Sequence, residues 1–255
     1  MPAEKTRSIR SLEKALAVLE MLSSTRDGMT LPDIATALKA PKSSVHSVLL
    51  TLERRGYLLR SDRTRKYTIS LQLVSLAGRA LRGLAVQEKA AAHLYRLSRA
   101  TNCAAHLAVL DQGEAVLIAK VEAPGSFRLA TWVGRRMEVH CTALGKVLIA
   151  ALPDDELGSL LNQRILSRHN ERTITSVHQL RSEVDAVRAQ GYAVDDEEDE
   201  IGLRCFAVPV FDPDGQTLAA ISVSGTTSQV NDASRPGFVA KLKQAAEMIS
   251  SSFGS

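Results

Sequence analysis

Apolar residues recur at helical spacing through the first quarter of the chain. Leu12, Ala15, Leu16, Leu19 and Leu22 follow a candidate cap at Ser11 and predict an amphipathic first helix that ends near Arg26-Asp27-Gly28. Thr30 and Asp33 read as a capping pair for a short second helix whose buried stripe is Ile34, Ala35 and Leu38. Pro41 suits the first position of a third helix, where its fixed φ and missing N–H cost nothing. In that helix Val45, Val48, Leu49 and Leu52 sit at i, i+3, i+4 and i+7 and face a core. Gly56 is placed to close it in a left-handed conformation. Two short strand-like runs, Tyr57 to Arg60 and Lys66 to Ile69, then flank Ser61-Asp62-Arg63-Thr64-Arg65.

Beyond this point the pattern changes. Leu71, Leu73, Leu76, Leu81 and Leu84 predict a linker helix over about residues 71–84, and Gly78 and Gly83 weaken any continuation, so a separate helix is expected over about 87–101. Cys103 to Leu110 and Ala115 to Glu122 form a hairpin around Asp111-Gln112-Gly113-Glu114. Phe206 to Phe211 and Thr217 to Ser224 form another around Asp212-Pro213-Asp214-Gly215, a turn sequence with Pro and Gly where the backbone needs them. Helical segments are expected near 142–151, 154–162, 177–190 and 235–250. Antiparallel strands backed by helices make the fold class α+β.

Composition narrows the function classes. The 255 residues are 45% hydrophobic and 24% charged, as in ordinary globular proteins, and no apolar run reaches the roughly 18–20 residues of a membrane span. Residues 1–10 are basic with no apolar stretch behind them, so a cytoplasmic location and no membrane partner are expected. Cys103, Cys141 and Cys205 are too scattered for a disulfide framework or a paired zinc motif. Aromatic residues make up 4% of the chain, which argues against base-stacking platforms.

Charge changes the picture more. Residues 1–80 carry 14 Lys or Arg against 7 Asp or Glu, a net of +7, whereas residues 81–255 carry a net of −3. A basic small region joined to a slightly acidic larger one suggests a polyanion-binding module attached to something else. The exposed start of the third helix presents Lys42, Ser43, Ser44, His46 and Ser47, hydrogen-bonding side chains with no acid among them. A short helix, a turn and a helix that opens in such residues is the layout of a helix-turn-helix. The basic hairpin that follows, with Arg63, Arg65 and Lys66, is the wing of a winged version, reaching phosphates or the minor groove of double-stranded DNA. A plain three-helix bundle with a solvated loop is the alternative.

The stretch from Ser11-Leu12-Glu13-Lys14-Ala15-Leu16 through Pro41-Lys42-Ser43-Ser44-Val45-His46 to Leu52-Glu53-Arg54-Arg55-Gly56-Tyr57-Leu58 resembles the DNA-binding domain of the IclR family of bacterial transcriptional regulators. His140-Cys141-Thr142-Ala143-Leu144-Gly145-Lys146, Gly191-Tyr192-Ala193-Val194-Asp195-Asp196-Glu197-Glu198, Gly202, Cys205, Pro209-Val210 and Ser222-Val223-Ser224-Gly225 resemble its effector domain. The resemblance covers essentially the whole chain. It implies a winged helix-turn-helix in residues 1–70, a linker helix in 71–86 that helps protomers dimerise, and a GAF-like effector-binding domain in 87–255. The implied protein is a homodimer or tetramer that binds a palindromic operator and senses a small organic acid, with repression favoured over activation and no cofactor.

Two effector contacts have a geometric basis apart from the resemblance. Ser222 and Ser224 are two apart on a strand, so their hydroxyls share one face, which suits a pocket lining and a solvent face equally. Thr142 to Lys146 reads as a helix start whose free N–H groups attract a carboxylate, or as an ordinary cap. The resemblance adds backbone amides from Ala143 and Leu144 to the effector carboxylate and gives the polar side of the pocket to Asp195, Cys205, Ser222 and Ser224. Leu129, Trp132 and Met137 are candidate apolar walls. Leu144 stands where some relatives carry a small residue, which bears on the size of the ligand.

The acidic run Asp195 to Glu200 reads ordinarily as a solvated loop. It is no EF-hand, since Glu200 takes the position that needs Gly, and no metal site is expected. The rival function is a hydrolase or transferase with Cys141 or Cys205 as nucleophile and His106 or His140 as base. Adjacent residues of a strand point apart, so His140 and Cys141 pair poorly if that stretch is extended. No nucleophile elbow or dinucleotide fingerprint is present, and Gly145-Lys146 lacks the rest of a P-loop.

Overall fold

The computed structural model describes residues 9–124 and 129–254, so the basic residues Lys5 and Arg7 lie outside the described part. The chain divides between Gly83 and Leu84 into two compact units.

In the first unit, helices α1 (Arg10–Ser23), α2 (Leu31–Ala37) and α3 (Lys42–Arg54) enclose a core of Val18, Leu22, Ile34, Val45, Leu49, Leu52, Leu58 and Tyr67. Strand β1 (Met29–Thr30) pairs with β3 (Lys66–Ile69), which also pairs with β2 (Leu58–Arg60), all antiparallel. The Thr30–Asp33 capping box forms, with Asp33 N–H donating to Thr30 Oγ1 and Thr30 N–H to Asp33 Oδ2. Such caps contribute about 1 kcal/mol. Gly56 follows α3 at φ +79°, as the chain reversal into β2 requires.

Two helix starts shift, α1 by two residues and α3 by one. Ser11 is not the cap of α1, which begins at Arg10 after Ile9. Pro41 is the N-cap of α3, with ψ 136° and its carbonyl accepting from Val45 N–H, so the helix starts at Lys42. The two-residue strand β1 has no periodicity to reveal it. Helix α4 (Gln72–Arg82) ends the unit and leaves Leu71, Val74 and Leu76 exposed.

The second unit opens with α5 (Ala85–Thr101), which stops at Asn102 in the left-handed region. A six-stranded antiparallel sheet follows in the order β6-β5-β4-β9-β8-β7. Its members are β4 (Ala104–Asp111), β5 (Glu114–Val121), β6 (Arg136–Met137), β7 (Ala193–Asp196), β8 (Leu203–Phe211) and β9 (Thr217–Thr226). Both expected hairpins are present as β4–β5 and β8–β9, and the edge strands β6 and β7 are additions.

Helix α6 (Ala143–Ala150) lies on the sheet face that carries Ala108, Leu117, Ala193, Ala207 and Ala220. Small residues on the sheet let this helix approach closely. At Gly145 a Cβ would overlap Val139 Cα and Thr142 Oγ1, so the turn before α6 and the helix itself pack without room for a side chain. Helices α7 (Asp154–Asn162) and α8 (Val177–Gln190) share a second core with Val139 and Ile149, while α5 and α9 (Arg235–Ser251) pack on each other and on the sheet. No described helix is long and apolar enough to cross a membrane.

Candidate functional site

The α3 stripe turned inward fixes what points out. Lys42, Ser43, His46 and Ser47 are exposed on its first two turns. Ser44 corrects the expectation: it is partly buried, and its hydroxyl accepts from Lys14 Nζ at 2.7 Å, so it fastens α1 to α3. Arg63 and Arg65 stand exposed at the tip of the β2–β3 hairpin, where Arg65 takes φ +56° to complete the turn. Lys66 is partly covered, across from Thr30 and close enough to help hold the Asp33 carboxyl below its usual range, behind the hydrogen bonds from Thr30. Arg60, which the sequence reading passed over, lies exposed with its guanidinium 5.6 Å above the Tyr67 ring. The polar start of α3 and the arginine-tipped hairpin both carry exposed hydrogen-bond donors and cations, the groups that phosphates and groove edges accept.

Replacing both Arg63 and Arg65 by Ala should weaken DNA binding similarly on specific and unrelated sequences and lower the salt slope by about 1.8. Operator titrations at several salt concentrations check this, and an unchanged slope would remove the wing from the phosphate contacts.

In the second unit, one cavity collects all six candidate effector residues: Ala143, Leu144, Asp195, Cys205, Ser222 and Ser224. Each arrives by a simple route. Thr142 caps α6, its hydroxyl accepting from Gly145 N–H at 3.2 Å, which leaves the helix start facing the cavity through Ala143 and Leu144. Asp195 of β7 pairs with Cys205 of β8, which pairs with Ser224 of β9, so the three sit abreast across the sheet. Ser222 lies two residues further along β9 on the same face, opposite His106 of β4.

His106 was missed as a pocket residue and read only as a possible base. Its Nδ1 lies 3.5 Å from Ser222 Oγ and 3.4 Å from Ser224 Oγ, and its Nε2 lies 3.3 Å from Thr131 Oγ1. Burial, assisted by Lys120, depresses its pKa to about 3, so it is a neutral imidazole with one donor and one acceptor. Leu129 and Met137 line the cavity as expected, whereas Trp132 is 62% exposed and stacks under Arg135 instead. Arg135 itself reaches the cavity and pairs with Asp199 at 3.6 Å.

The acidic run is not a solvated loop. Asp195 and Glu198 are buried, and Asp195 Oδ1 accepts from Glu198 N–H at 2.9 Å. Burial pushes the Asp195 carboxyl up to about 7, with nearby Glu198 and Asp199 adding to the rise and Lys146 opposing it. Lys146, fully buried in α6, explains why these acids are inside. Its ammonium donates to Glu198 Oε1 at 2.5 Å, to the Val194 carbonyl at 2.8 Å and to Glu183 Oε1 at 3.4 Å. The Gly-Lys pair of the sequence motif is thus a buried strut under the pocket wall.

The nucleophile reading fails on its residues. His140 and Cys141 lie in a turn, so the argument from strand alternation does not apply, but no hydrogen bond joins them. His140 Nε2 faces the Ser167 carbonyl at 2.9 Å, and Cys141 Sγ lies 4.0 Å from Asp199 Oδ1. Burial and then the surrounding carboxylates push the Cys141 thiol far up, and burial does the same to Cys205, the reverse of an activated nucleophile.

Residues 11–62 match the model of the IclR helix-turn-helix domain, and residues 78–251 match that of the bacterial transcriptional regulator IclR C-terminal domain. The chain is 37% identical to the transcriptional regulator XynR of Escherichia coli over 96% of its own length and 98% of the relative's. It is 36% identical to KdgR of the same organism over 97% and 94%. Among solved structures, Thermotoga maritima IclR superposes with TM-score 0.81 at 30% identity, covering 97% of this chain and all of that one. An IclR homologue from Microbacterium hydrocarbonoxydans, solved with 4-hydroxybenzoate, gives TM-score 0.82 at 25% identity over 94% and 98%. With both domain models matched in order, and with regulators, not enzymes, among its relatives, the chain belongs to the IclR family of bacterial transcriptional regulators.

Proposed function

We propose that the protein is a cytoplasmic repressor that binds a palindromic operator as a homodimer or tetramer and is controlled by a small organic acid in the cavity of its second unit. DNA binding is assigned to the first unit, with α4 as its linker helix, and effector binding to the second, which begins at Leu84 rather than at the expected residue 87. The observation that carries the reading is the single cavity where the start of α6 meets Asp195, Cys205, Ser222 and Ser224. Free helix N–H groups favour an anion at one end, while neutral hydroxyl, thiol and imidazole groups offer hydrogen bonds to the rest of a ligand. The 4-hydroxybenzoate held by the Microbacterium homologue is a carboxylic acid. Two other relatives, YiaJ and IclR of Escherichia coli, are named repressors, which favours repression. The exposed apolar residues Leu71, Val74 and Leu76 beside and on α4 suit a helix that meets a second protomer.

A thermal-shift screen of the full chain against small carboxylates, with and without operator DNA, tests this. A carboxylate should raise the unfolding midpoint, and operator DNA should change the size of that rise. A panel in which no acid shifts the midpoint would contradict the reading.

A further inference from the structure

Among the described residues, one group of metal-ligating side chains is gathered closely enough to hold an ion: Glu138, His140, Cys141 and His169, whose candidate donor atoms all lie within 4.8 Å of one another. We propose that these four residues form a zinc site that clamps the segment between α7 and α8 to the turn preceding α6. Zinc with nitrogen, sulfur and oxygen donors at about 2.0–2.3 Å places tetrahedral ligands about 3.3–3.8 Å apart, so the four side chains need to close by at most about 1.5 Å. Two imidazoles, one thiolate and one carboxylate are a borderline-soft set that favours zinc over magnesium or calcium.

The surroundings prepare the ligands. The contact of His140 Nε2 with the Ser167 carbonyl fixes the ring as the Nε2–H tautomer and leaves a lone pair on Nδ1, the outer hydrogen bond that metal-bound histidines commonly make. Glu138 and His169 already touch through Oε2 and Nε2, and the two histidine rings stack with centroids 6.3 Å apart. Cys141 is buried near Asp199, and a divalent cation there would balance the negative charge gathered around it. Binding converts the Cys141 thiol to a thiolate and releases its proton to solvent. His169 is exposed, so the ion has an entry path.

The site lies beside the cavity but is not part of it. Three ligands precede α6 directly, and His169 belongs to a segment whose Asn170 and Thr173 side chains donate to the Glu197 and Glu198 carbonyls behind the pocket wall. An ion would therefore tie the start of α6 to that wall. The inference goes beyond the proposed effector function and does not depend on it.

The test uses the full-length protein, stripped with a chelator and titrated with zinc or cobalt alone. One equivalent per chain should bind, and the cobalt form should show a thiolate-to-metal charge-transfer band. Cys141→Ser should abolish that band. His169→Ala, which removes an exposed ring and leaves the core untouched, should weaken zinc binding about tenfold or more, whereas His178→Ala on the exposed face of α8 should leave it unchanged. Absence of a charge-transfer band, or equal zinc affinity in the wild type and His169→Ala, would overturn the site.

Discussion

Replacing Lys146 by Met should destabilise the second unit by on the order of 3–5 kcal/mol, because it strands the Glu198 carboxylate in the interior. Lys146 is fully buried and the Glu198 side chain 9% exposed; Glu198 Oε1 accepts from Lys146 and, at 3.4 Å, from Asp196 N–H, while Oε2 has no hydrogen-bond partner among the described residues. Burial already raises the Glu198 pKa, and the Lys146 charge is the main influence holding it down. Glu183 also reaches the ammonium but is 31% exposed, so water can replace its partner. Adding Glu198→Gln to the Lys146→Met variant should recover much of the loss, since the uncompensated charge is then gone. Denaturant unfolding of the four proteins in this cycle is the measurement. Additive losses would mean that the pair is not coupled.

Effector affinity should fall as pH rises through about 7, approaching tenfold per unit above it, because the Asp195 carboxyl is raised to about that value. Below it, Asp195 is neutral and can donate to an acid ligand; above it, a buried carboxylate repels one. Asp195→Asn should flatten the profile between about pH 6 and pH 9, and a wild-type affinity constant over that range would contradict the assignment. Stability follows the same linkage. A carboxyl whose folded pKa is raised from 3.8 to about 7 binds its proton more tightly in the native state, so its contribution falls as pH rises from about 4 to about 7. His106, depressed from 6.5 to about 3, acts oppositely and costs stability as pH falls below about 6.5. The two slopes therefore offset each other in mildly acidic solution, and Asp195→Asn should be more stable than the wild type mainly above pH 7.

The helices and hairpins with strong periodicity or turn chemistry were legible: the Thr30–Asp33 box, Gly56 and the Asp212-Pro213-Asp214-Gly215 turn each encode a local geometry that the structure contains. The pocket's polar residues were reached through family motifs, because nothing local says that Asp195, Cys205 and Ser224 stand abreast; that follows from strand pairing across long stretches of chain. Burial of the acidic run was invisible for the same reason. One signal was available. Helix α6 reads Ala-Leu-Gly-Lys-Val-Leu-Ile-Ala, apolar on every side except for Lys146, and a lysine in a helix buried all round requires an acidic partner. Trp132 misled in the other direction, since an apolar side chain carries no instruction about which surface it covers.

Titration of the operator with the protein, with and without a saturating effector acid, tests the account most directly when paired with effector titrations in the presence and absence of operator. Linkage requires the two affinity ratios to be equal, and an effect of about 5- to 150-fold is expected. An acid that binds the second unit saturably yet leaves operator affinity unchanged would contradict the claim that this cavity controls DNA binding.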